Sequence, residues 1–248
     1  MRGFVDLHCH WIAGIDDGAR TVDASLAMLR GLKQAGFDTV MATPHMRPGM
    51  FDNDRAALQA AFDAMKPHLA GDSALPSVHL ASEHFFDEIV FARLIQGEGL
   101  PYPDVAPAGD PTTRKRGVLV ELPPTSFPVH IDRRFFDLGR AGLRPVLAHP
   151  ERYQPVWKDD RCLDPLIDAG AALLLDVCAL VGKYGRASQN AAEKLLDDEA
   201  YEAACSDAHR PEDADIVAEA IEVLTTRVGR EETERLLGAG PRGILGLL

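Results

Sequence analysis

Two short motifs, one near each end of the chain, place metal-binding side chains two positions apart. His8 and His10 flank Cys9, and Asp207 and His209 flank Ala208. In an extended strand, residues i and i+2 point to the same face, so each pair can reach one cation. Imidazole mixed with carboxylate suits Mn²⁺, iron or Zn²⁺ better than Ca²⁺. The spacing therefore predicts a metal site to which both ends of the chain contribute.

Five further candidate ligands follow other apolar runs or lie in loops beside them. They are Asp17, His45, Glu83, Glu121 and His149. A carboxylate can bridge two cations, so the two glutamates favour a centre with more than one metal. The alternative for each glutamate is to cap a helix N-terminus, where acidic side chains are also favourable. Asp17 belongs to an Asp-Asp-Gly triplet, which taken alone is more often a turn than a ligand.

Seven short apolar runs carry these residues, and helical patterns separate the runs. The runs are 5–7, 39–42, 78–81, 118–120, 145–148, 172–175 and 203–206. Strands that alternate with helices predict a parallel sheet, and in a closed α/β barrel the active site lies at the C-terminal ends of the strands. Six of the seven runs lead into a candidate ligand. The exception is the run 172–175, which ends less clearly at Asp176. We expect a distorted seven-stranded (β/α)7 TIM-like barrel that spans residues 1–248 as one domain.

Helices are predicted between and after the runs. Their approximate limits are 21–36, 54–69, 85–96, 131–141, 162–169, 188–196, 211–228 and 230–237. Segment 97–117 is predicted to be a solvated connection because it contains four prolines and a basic run. The tail, 238–248, is also predicted to be a loop, packed against the barrel or against a neighbouring subunit.

Composition excludes several functions. The formal charge of −12 argues against nucleic-acid binding, which depends on clustered Lys and Arg. No apolar stretch is long enough to predict membrane insertion. The first run begins close to Met1 and leaves no room for a secretory signal, so a cytoplasmic location is expected. The sequence does not indicate an oligomeric state.

Taken together, the motifs resemble those of the polymerase and histidinol phosphatase (PHP) superfamily. The resemblance is strongest to its bacterial capsule and exopolysaccharide tyrosine-protein phosphatases. The matching segments, in the family's order, are 6–10, 16–18, 43–45, 49–51, residue 83, 119–121, 149–153 and 206–209. The His-x-His and Asp-x-His pairs are general to the superfamily. The Asp-Asp-Gly, Gly-Met-Phe and Glu-Arg-Tyr elements are typical of the tyrosine phosphatase branch.

The resemblance implies a PHP-type barrel with two or three divalent ions, usually manganese, with iron or zinc as alternatives. By position, the implied ligands of the first ion are His8, His10, Glu83 and Asp207. Those of the second ion are Glu83, Glu121 and His149. Those of the third ion are His45 and His209 with Asp17. Clustered cations lower the pKa of a bridging water from about 15.7 toward about 7, so that hydroxide could attack phosphorus in line.

Three arginines are candidates for binding the phosphoryl group. Arg152 is the predicted catalytic residue, because its planar guanidinium suits phosphoryl oxygens. Arg47 follows the second run and is a further candidate. Related proteins have a second basic residue a few positions beyond the Asp-x-His pair, where this chain offers only Arg210. The pKa of a tyrosine phenol is near 10, so a phenolate leaves more easily than a serine alkoxide, which favours aryl phosphates.

The predicted function is hydrolysis of phosphotyrosine in a protein, with an autophosphorylating bacterial tyrosine kinase linked to polysaccharide production as the expected partner. Cysteine-dependent phosphatases are excluded, because none of the four cysteines is followed by Arg six positions later. A small-molecule phosphomonoesterase such as a histidinol phosphatase is the main alternative, and a degenerate barrel that only binds partners is another. Amidohydrolase barrels also begin with His-x-His but use a modified lysine, and here the fourth run ends in Glu121.

Overall fold

A computed structural model describes residues 3–103 and 115–247, and all seven predicted runs form strands in it. The strands are β1 (Phe4–Asp6), β2 (Phe37–Ala42), β3 (His45–Met46), β4 (Ser77–Leu80), β5 (Glu83–Phe85), β6 (Arg116–Glu121), β7 (Leu143–Ala148), β8 (Ala172–Asp176) and β9 (Ala203–Cys205). The second and third runs are each followed by a further short strand, β3 and β5. These two short strands carry His45 and Glu83, so the interruptions lie directly before candidate ligands.

The strands pair in parallel and form two sheets. One has the order β1-β2-β4 and the other has the order β3-β5-β6-β7-β8-β9. The break between β2 and β3 falls at Thr43 and Pro44, and proline cannot donate a ladder hydrogen bond. The pairing confirms an α/β fold with parallel strands. It differs from the expected single closed sheet of seven strands, because the hydrogen bonds divide into a three-stranded and a six-stranded sheet.

Helices connect the strands, as the periodicity predicts. They are α1 (Val22–Ala35), α2 (Arg55–Leu69), α3 (Glu88–Ile95), α4 (Ile131–Arg140), α5 (Gln154–Lys158), α6 (Asp164–Asp168), α7 (Arg186–Asp197), α8 (Asp213–Glu234) and α9 (Gly240–Leu245). Thr21 caps α1 by accepting a hydrogen bond from the amide of Ala24, and Gly36 ends it with φ 116°. None of the helices in the described ranges combines the length and apolar character that a membrane span requires.

Several helix limits differ from the prediction. Helix α3 begins at Glu88 rather than at Phe85, because Phe85 still pairs with Glu121 in the sheet and Asp87 supplies the cap. Helix α5 was not predicted, and α9 lies in the tail that was expected to be a loop. The last two predicted helices, which were expected to be separate after Val228, are joined in α8. The interruption between them is one non-helical residue, Gly229, with φ 84°. Of the predicted connection 97–117, residues 104–114 lie outside the described residues, and Arg116 and Gly117 belong to β6.

Side chains of the strands alternate between two apolar clusters. In β8, Leu173 and Leu175 belong to the larger cluster, which also includes buried apolar residues of helices α1 to α8. Leu174 belongs to a smaller cluster that takes alternate residues from strands of both sheets. Ile244 and Leu245 of α9 are buried in this smaller cluster. The tail therefore packs against the strands, which is one of the two arrangements expected for it.

Candidate metal centre

All nine predicted metal ligands lie at one place, at the carboxyl ends of the strands. They form four overlapping groups, and in each group the potential ligand atoms lie within 4.8 Å of one another. The groups are His10, Asp17, His45 and His209; His8, His10 and Asp207; His8, Glu83 and His149; and His45, Glu83 and Glu121. The convergence follows from the parallel strands, which all end on the same side.

Glu83 lies at the middle of the cluster. Its Oε2 is 3.3 Å from His8 Nε2, 3.4 Å from His10 Nε2 and 3.0 Å from His45 Nδ1. Its Oε1 is 3.3 Å from His149 Nε2. Strand pairing accounts for part of this arrangement, because β3 and β5 place His45 directly opposite Glu83. A single carboxylate thus contacts four imidazoles, which is the arrangement that a bridging ligand requires.

Two of the candidate ligands have a backbone conformation that is uncommon for residues other than glycine. His149 has φ 37° directly after β7, and Asp207 has φ 43° just beyond β9. Left-handed conformations cost energy in residues other than glycine, although Asp and His adopt them more often than most, and they are concentrated at functional sites. Asp207 Oδ1 lies 3.1 Å from His8 Nε2 and 3.5 Å from His10 Nε2. The strained turns therefore bring the ends of β7 and β9 to the same cluster.

The Asp-Asp-Gly triplet is both a turn and a part of the cluster. A Cβ at Gly18 would lie 2.0 Å from the carbonyl oxygen of His10, so only glycine allows this loop to pack there. Asp16 Oδ2 lies 2.8 Å from His10 Nδ1 and accepts a hydrogen bond from the amide of His45 at 3.1 Å. Asp17 Oδ1 faces His45 Nε2 at 3.4 Å and His209 Nε2 at 3.6 Å. Asp16 thus orients a ligand, as a carboxylate behind a metal-binding histidine commonly does.

Neither glutamate caps a helix. Glu83 lies within β5 and Glu121 ends β6. The cap of α3 is Asp87, and the residue before α4 is His130. The alternative prediction, that each of these glutamates caps a helix N-terminus, is therefore wrong. His84, which was not predicted as a ligand, instead makes hydrogen bonds through its ring to Leu119 O and from Leu100 N.

Electrostatics of the cluster fit divalent cations. Burial disfavours a charge on His45, yet Glu83 and Asp17 outweigh this effect and raise its pKa to about 10. Burial and the neighbouring Glu83 raise the pKa of Glu121 to about 7. Among the described residues, Glu121 Oε2 and Asp207 Oδ1 are buried without a hydrogen-bond partner. Buried acceptors without partners are costly, and cations would satisfy them.

Arg152 lies beside the cluster, as predicted. Its Nη1 is 2.5 Å from Asp207 Oδ2 and 3.7 Å from Asp176 Oδ2. Its Cζ lies 4.3 Å from the centroid of the Tyr184 ring, a cation–π contact. Burial opposes its charge, but Asp207 and Asp176 more than compensate and raise its pKa. The guanidinium is therefore charged and fixed at the edge of the cluster.

The two other predicted arginines differ in position. Arg47 Nη1 lies 4.0 Å from Glu121 Oε2, and its guanidinium stacks 4.0 Å above the ring of Phe85. Arg210 is exposed, and its backbone amide donates to Asp213 Oδ2 at 3.0 Å. Within the described residues, no ion pair or hydrogen bond of its side chain places it at the cluster. The structure brings Arg47 to the site, whereas Arg210 follows the candidate ligand His209 with an exposed side chain.

Sequence reasoning missed four residues around the site. They are Asp16, Glu151, Asp176 and Tyr184. Asp176 had a signal, since it ends the sixth apolar run in the way that ligands end the others. Asp16 had a weaker signal as the neighbour of Asp17. Tyr184 lies in the turn before α7, where nothing in its local sequence indicated a contact with Arg152.

The likeness to known proteins agrees with this geometry. Tyrosine-protein phosphatase YwqE of Bacillus subtilis is 28% identical over 228 residues, which cover 92% of this chain and 86% of YwqE. A crystal structure from a study of YwqE from Bacillus subtilis and CpsB from Streptococcus pneumoniae, described as metal-dependent tyrosine phosphatases, superposes with a TM-score of 0.85. That match has 26% identity and covers 98% of this chain and 95% of the other.

A more distant likeness concerns the fold alone. Dihydropyrimidinase from Brevibacillus agri superposes with a TM-score of 0.57 at 12% identity, over 100% of this chain and 71% of that one.

Residues 4–246 match the sequence model of the family described as capsular polysaccharide synthesis, CpsB/CapC. Since the match spans nearly the whole chain, this protein belongs to the CpsB/CapC family of capsular polysaccharide synthesis.

Proposed function

We propose that this protein is a metal-dependent tyrosine phosphatase that removes phosphate from phosphotyrosine in a protein. The observation that supports this proposal most strongly is that Glu83 contacts four histidines beside the charged guanidinium of Arg152. The family and the tyrosine phosphatases to which the chain is similar support the substrate class.

The proposed ligands are the nine residues of the cluster, with two or three divalent ions per chain. Glu83 would be shared between ions, because its two oxygens face different histidines. Manganese is the proposed metal, with iron or zinc as alternatives, since mixed imidazole and carboxylate ligands suit all three. When bound, such cations polarise phosphoryl oxygens and make a bound water a stronger nucleophile.

The residues of this chain supply orientation and charge around the phosphoryl group. Arg152 would bind phosphoryl oxygens through the guanidinium nitrogens that are not directed at Asp207. Asp176 lies 3.7 Å away and helps to keep the guanidinium in place. Arg47 lies on the Glu121 side of the cluster and is proposed as the second phosphate-binding arginine. Arg210, which is exposed directly after His209, stays the weaker candidate for this role.

Several broader features are proposed together with this activity. The two sheets would form one distorted seven-stranded barrel. Beyond the ends of β1 and β9, the amide of Asp207 donates to His8 O and the amide of His10 to Ala208 O, both at 2.9 Å, which supports this closure. Residues 1–248 would be a single domain located in the cytoplasm. The proposed partner is an autophosphorylating bacterial tyrosine kinase linked to polysaccharide production.

A comparison of three substrates tests the proposal. Manganese-loaded protein is assayed with a phosphotyrosine peptide, the matching phosphoserine peptide and histidinol phosphate. We expect rapid turnover of the first and nearly none of the other two. Preferential hydrolysis of histidinol phosphate would assign the site to a small-molecule phosphatase instead. Absence of turnover with all three, in protein that binds metal, would favour a barrel that only binds partners.

A further inference from the structure

A cavity of about 280 Å³ opens directly beside the metal centre. Glu121, His149 and Arg152 of the site line it together with Tyr153 and Ser188, and Pro124, Trp157 and Tyr184 complete its wall. Trp157 is 41% exposed, although it lies next to a polar centre. The cavity thus connects a charged site to an aromatic surface that has no part in binding the metals or the phosphoryl group.

The aromatic wall is fixed to the same turn that carries Arg152. Trp157 donates a hydrogen bond from Nε1 to the carbonyl oxygen of Glu151 at 2.7 Å. The amide of Gln154 donates to the carbonyl oxygen of Pro124 at 2.8 Å. The ring of Tyr184 is held against the guanidinium of Arg152. The walls therefore have a set position relative to the residue that would bind the phosphoryl group.

We propose that this cavity binds the phenyl ring of phosphotyrosine, and that Trp157 and Tyr184 determine specificity for aryl phosphates. The inference rests on the proposed function. A phosphoryl group held between Arg152 and the cluster leaves its ester substituent to occupy the adjoining space, and this cavity adjoins both. Aromatic rings pair favourably in offset or edge-to-face arrangements, whereas a serine side chain has no ring to place there.

Binding of two stable phosphonates to manganese-loaded protein tests this inference without turnover. Phenylphosphonate carries the ring and methylphosphonate does not, so the ratio of their dissociation constants isolates the contribution of the ring. We expect phenylphosphonate to bind roughly three- to tenfold more tightly, in line with the energy of an aromatic pair. Isothermal titration calorimetry measures both constants on the full chain.

Substitutions of Trp157 assign the preference to the cavity. Trp157→Ala should reduce the ratio to nearly one and leave methylphosphonate binding unchanged, whereas Trp157→Phe should retain most of it. Phe136→Ala is the matched control, because Phe136 is an aromatic residue that is 58% exposed on α4 and does not line the cavity. With a phosphotyrosine peptide, Trp157→Ala should raise KM and largely preserve kcat.

Three results would overturn the inference. Equal affinity of the wild-type protein for both phosphonates would show that no ring site exists, and continued hydrolysis of phosphotyrosine would leave the proposed function intact. An equal loss of both phosphonates in Trp157→Ala would show that Trp157 acts only by supporting Arg152. Failure of the wild-type protein to hydrolyse any phosphotyrosine substrate would remove the proposed function and this inference with it.

Discussion

At the scale of single residues, Arg152 offers the clearest separation of binding metal from binding phosphate. Among residues 3–103 and 115–247, Asp207 is the only member of the cluster with which its guanidinium pairs, and the pair is formed through Nη1, so the other nitrogens could bind a substrate. Arg152→Lys keeps the charge and loses the planar fork, so we expect kcat/KM to fall roughly 100-fold with the metal content unchanged. Metal analysis and steady-state kinetics on the same samples check this.

A matched control for Arg152→Lys exists in Arg144→Lys. Arg144 is likewise held by a carboxylate, in a two-pronged ion pair with Glu202, but it belongs to β7 at the end opposite His149. This control should keep wild-type kinetics. If Arg152→Lys lost metal and activity in equal proportion, Arg152 would be a structural support for Asp207 rather than a phosphate-binding residue.

Glu83 is the residue on which the centre depends most. Glu83→Gln keeps the shape of the side chain and removes the negative charge that faces four histidines. We expect the loss of at least one metal per chain and a decrease in kcat/KM of roughly 1000-fold or more. Elemental analysis after dialysis measures the first effect. Glu88→Gln, which breaks a surface ion pair with Arg134, is the control and should retain full metal content.

Protonation of the cluster leads to a prediction about pH. Without metal, His45 has a pKa of about 10, and the pKa of His10 is also raised, because Asp16 and other carboxylates outweigh its burial. His45 is therefore protonated at pH 7, and every protonated ligand must lose its proton to bind a cation. We expect at least one proton to be released on metal binding, and the affinity for metal to rise with pH. Calorimetry in two buffers of different ionisation enthalpy counts these protons, and a count near zero would contradict the predicted ligands.

At the scale of elements, the turn that follows β7 positions Arg152 through the buried carboxyl group of Glu151. Glu151 Oε1 accepts a hydrogen bond from Asp176 N at 2.9 Å, and Oε2 accepts one from Tyr201 OH at 3.0 Å. Glu151→Ala leaves both donors buried without partners, which should lower the free energy of unfolding by about 3 kcal/mol. Chemical denaturation measures this loss. Turnover should also fall while metal content is retained, because the turn that carries Arg152 loosens.

The control for Glu151→Ala is Glu202→Ala, which removes a partly exposed ion pair with Arg144. Such pairs contribute little, so a loss below about 1 kcal/mol is expected. Similar losses in the two variants would show that Glu151 is not the anchor of the turn. Glu151→Gln, which keeps one acceptor oxygen, should lie between the wild-type protein and Glu151→Ala.

Elements differ in how far the sequence predicts them. Seven of the strands were predictable because each is a short apolar run, and six of these runs stop at a polar ligand, as β7 stops before His149. The short strands β3 and β5 that follow the second and third runs could not be predicted in this way. They depend on hydrogen bonds between strands, such as that from Ala81 N to Ala42 O. The start of α3 was misplaced because sheet pairing retains Phe85, which the local pattern cannot indicate.

At the scale of the whole molecule, bound metal should contribute directly to stability. The ligands come from both sheets and from both ends of the chain, so binding links segments that separate on unfolding. A cation at about 100 times its dissociation constant stabilises the folded state by about 2.7 kcal/mol. For a domain of this size, that corresponds to a rise in Tm of roughly 5–10 °C for each ion. Thermal unfolding with EDTA and with Mn²⁺ measures the difference, and an unchanged Tm would argue against a centre shared by both sheets.

The site was more predictable than its surroundings. Ligand types stand out in the sequence, and parallel strands bring their ends together whatever the details of the loops. The residues that hold the ligands were harder to recognise, because Asp16 and Glu151 act through contacts with residues on other elements. The left-handed conformations of His149 and Asp207 likewise result from the assembled fold and have no signal in local sequence.

The most direct test of a polynuclear tyrosine phosphatase centre is a metal titration of stripped protein, with phosphotyrosine peptide turnover and bound metal followed in the same samples. We predict that activity is absent after EDTA treatment, returns with Mn²⁺ and reaches its maximum at about two or three ions per chain. Full turnover in metal-free protein, or saturation with metal without any hydrolysis of phosphotyrosine, would contradict the proposed function.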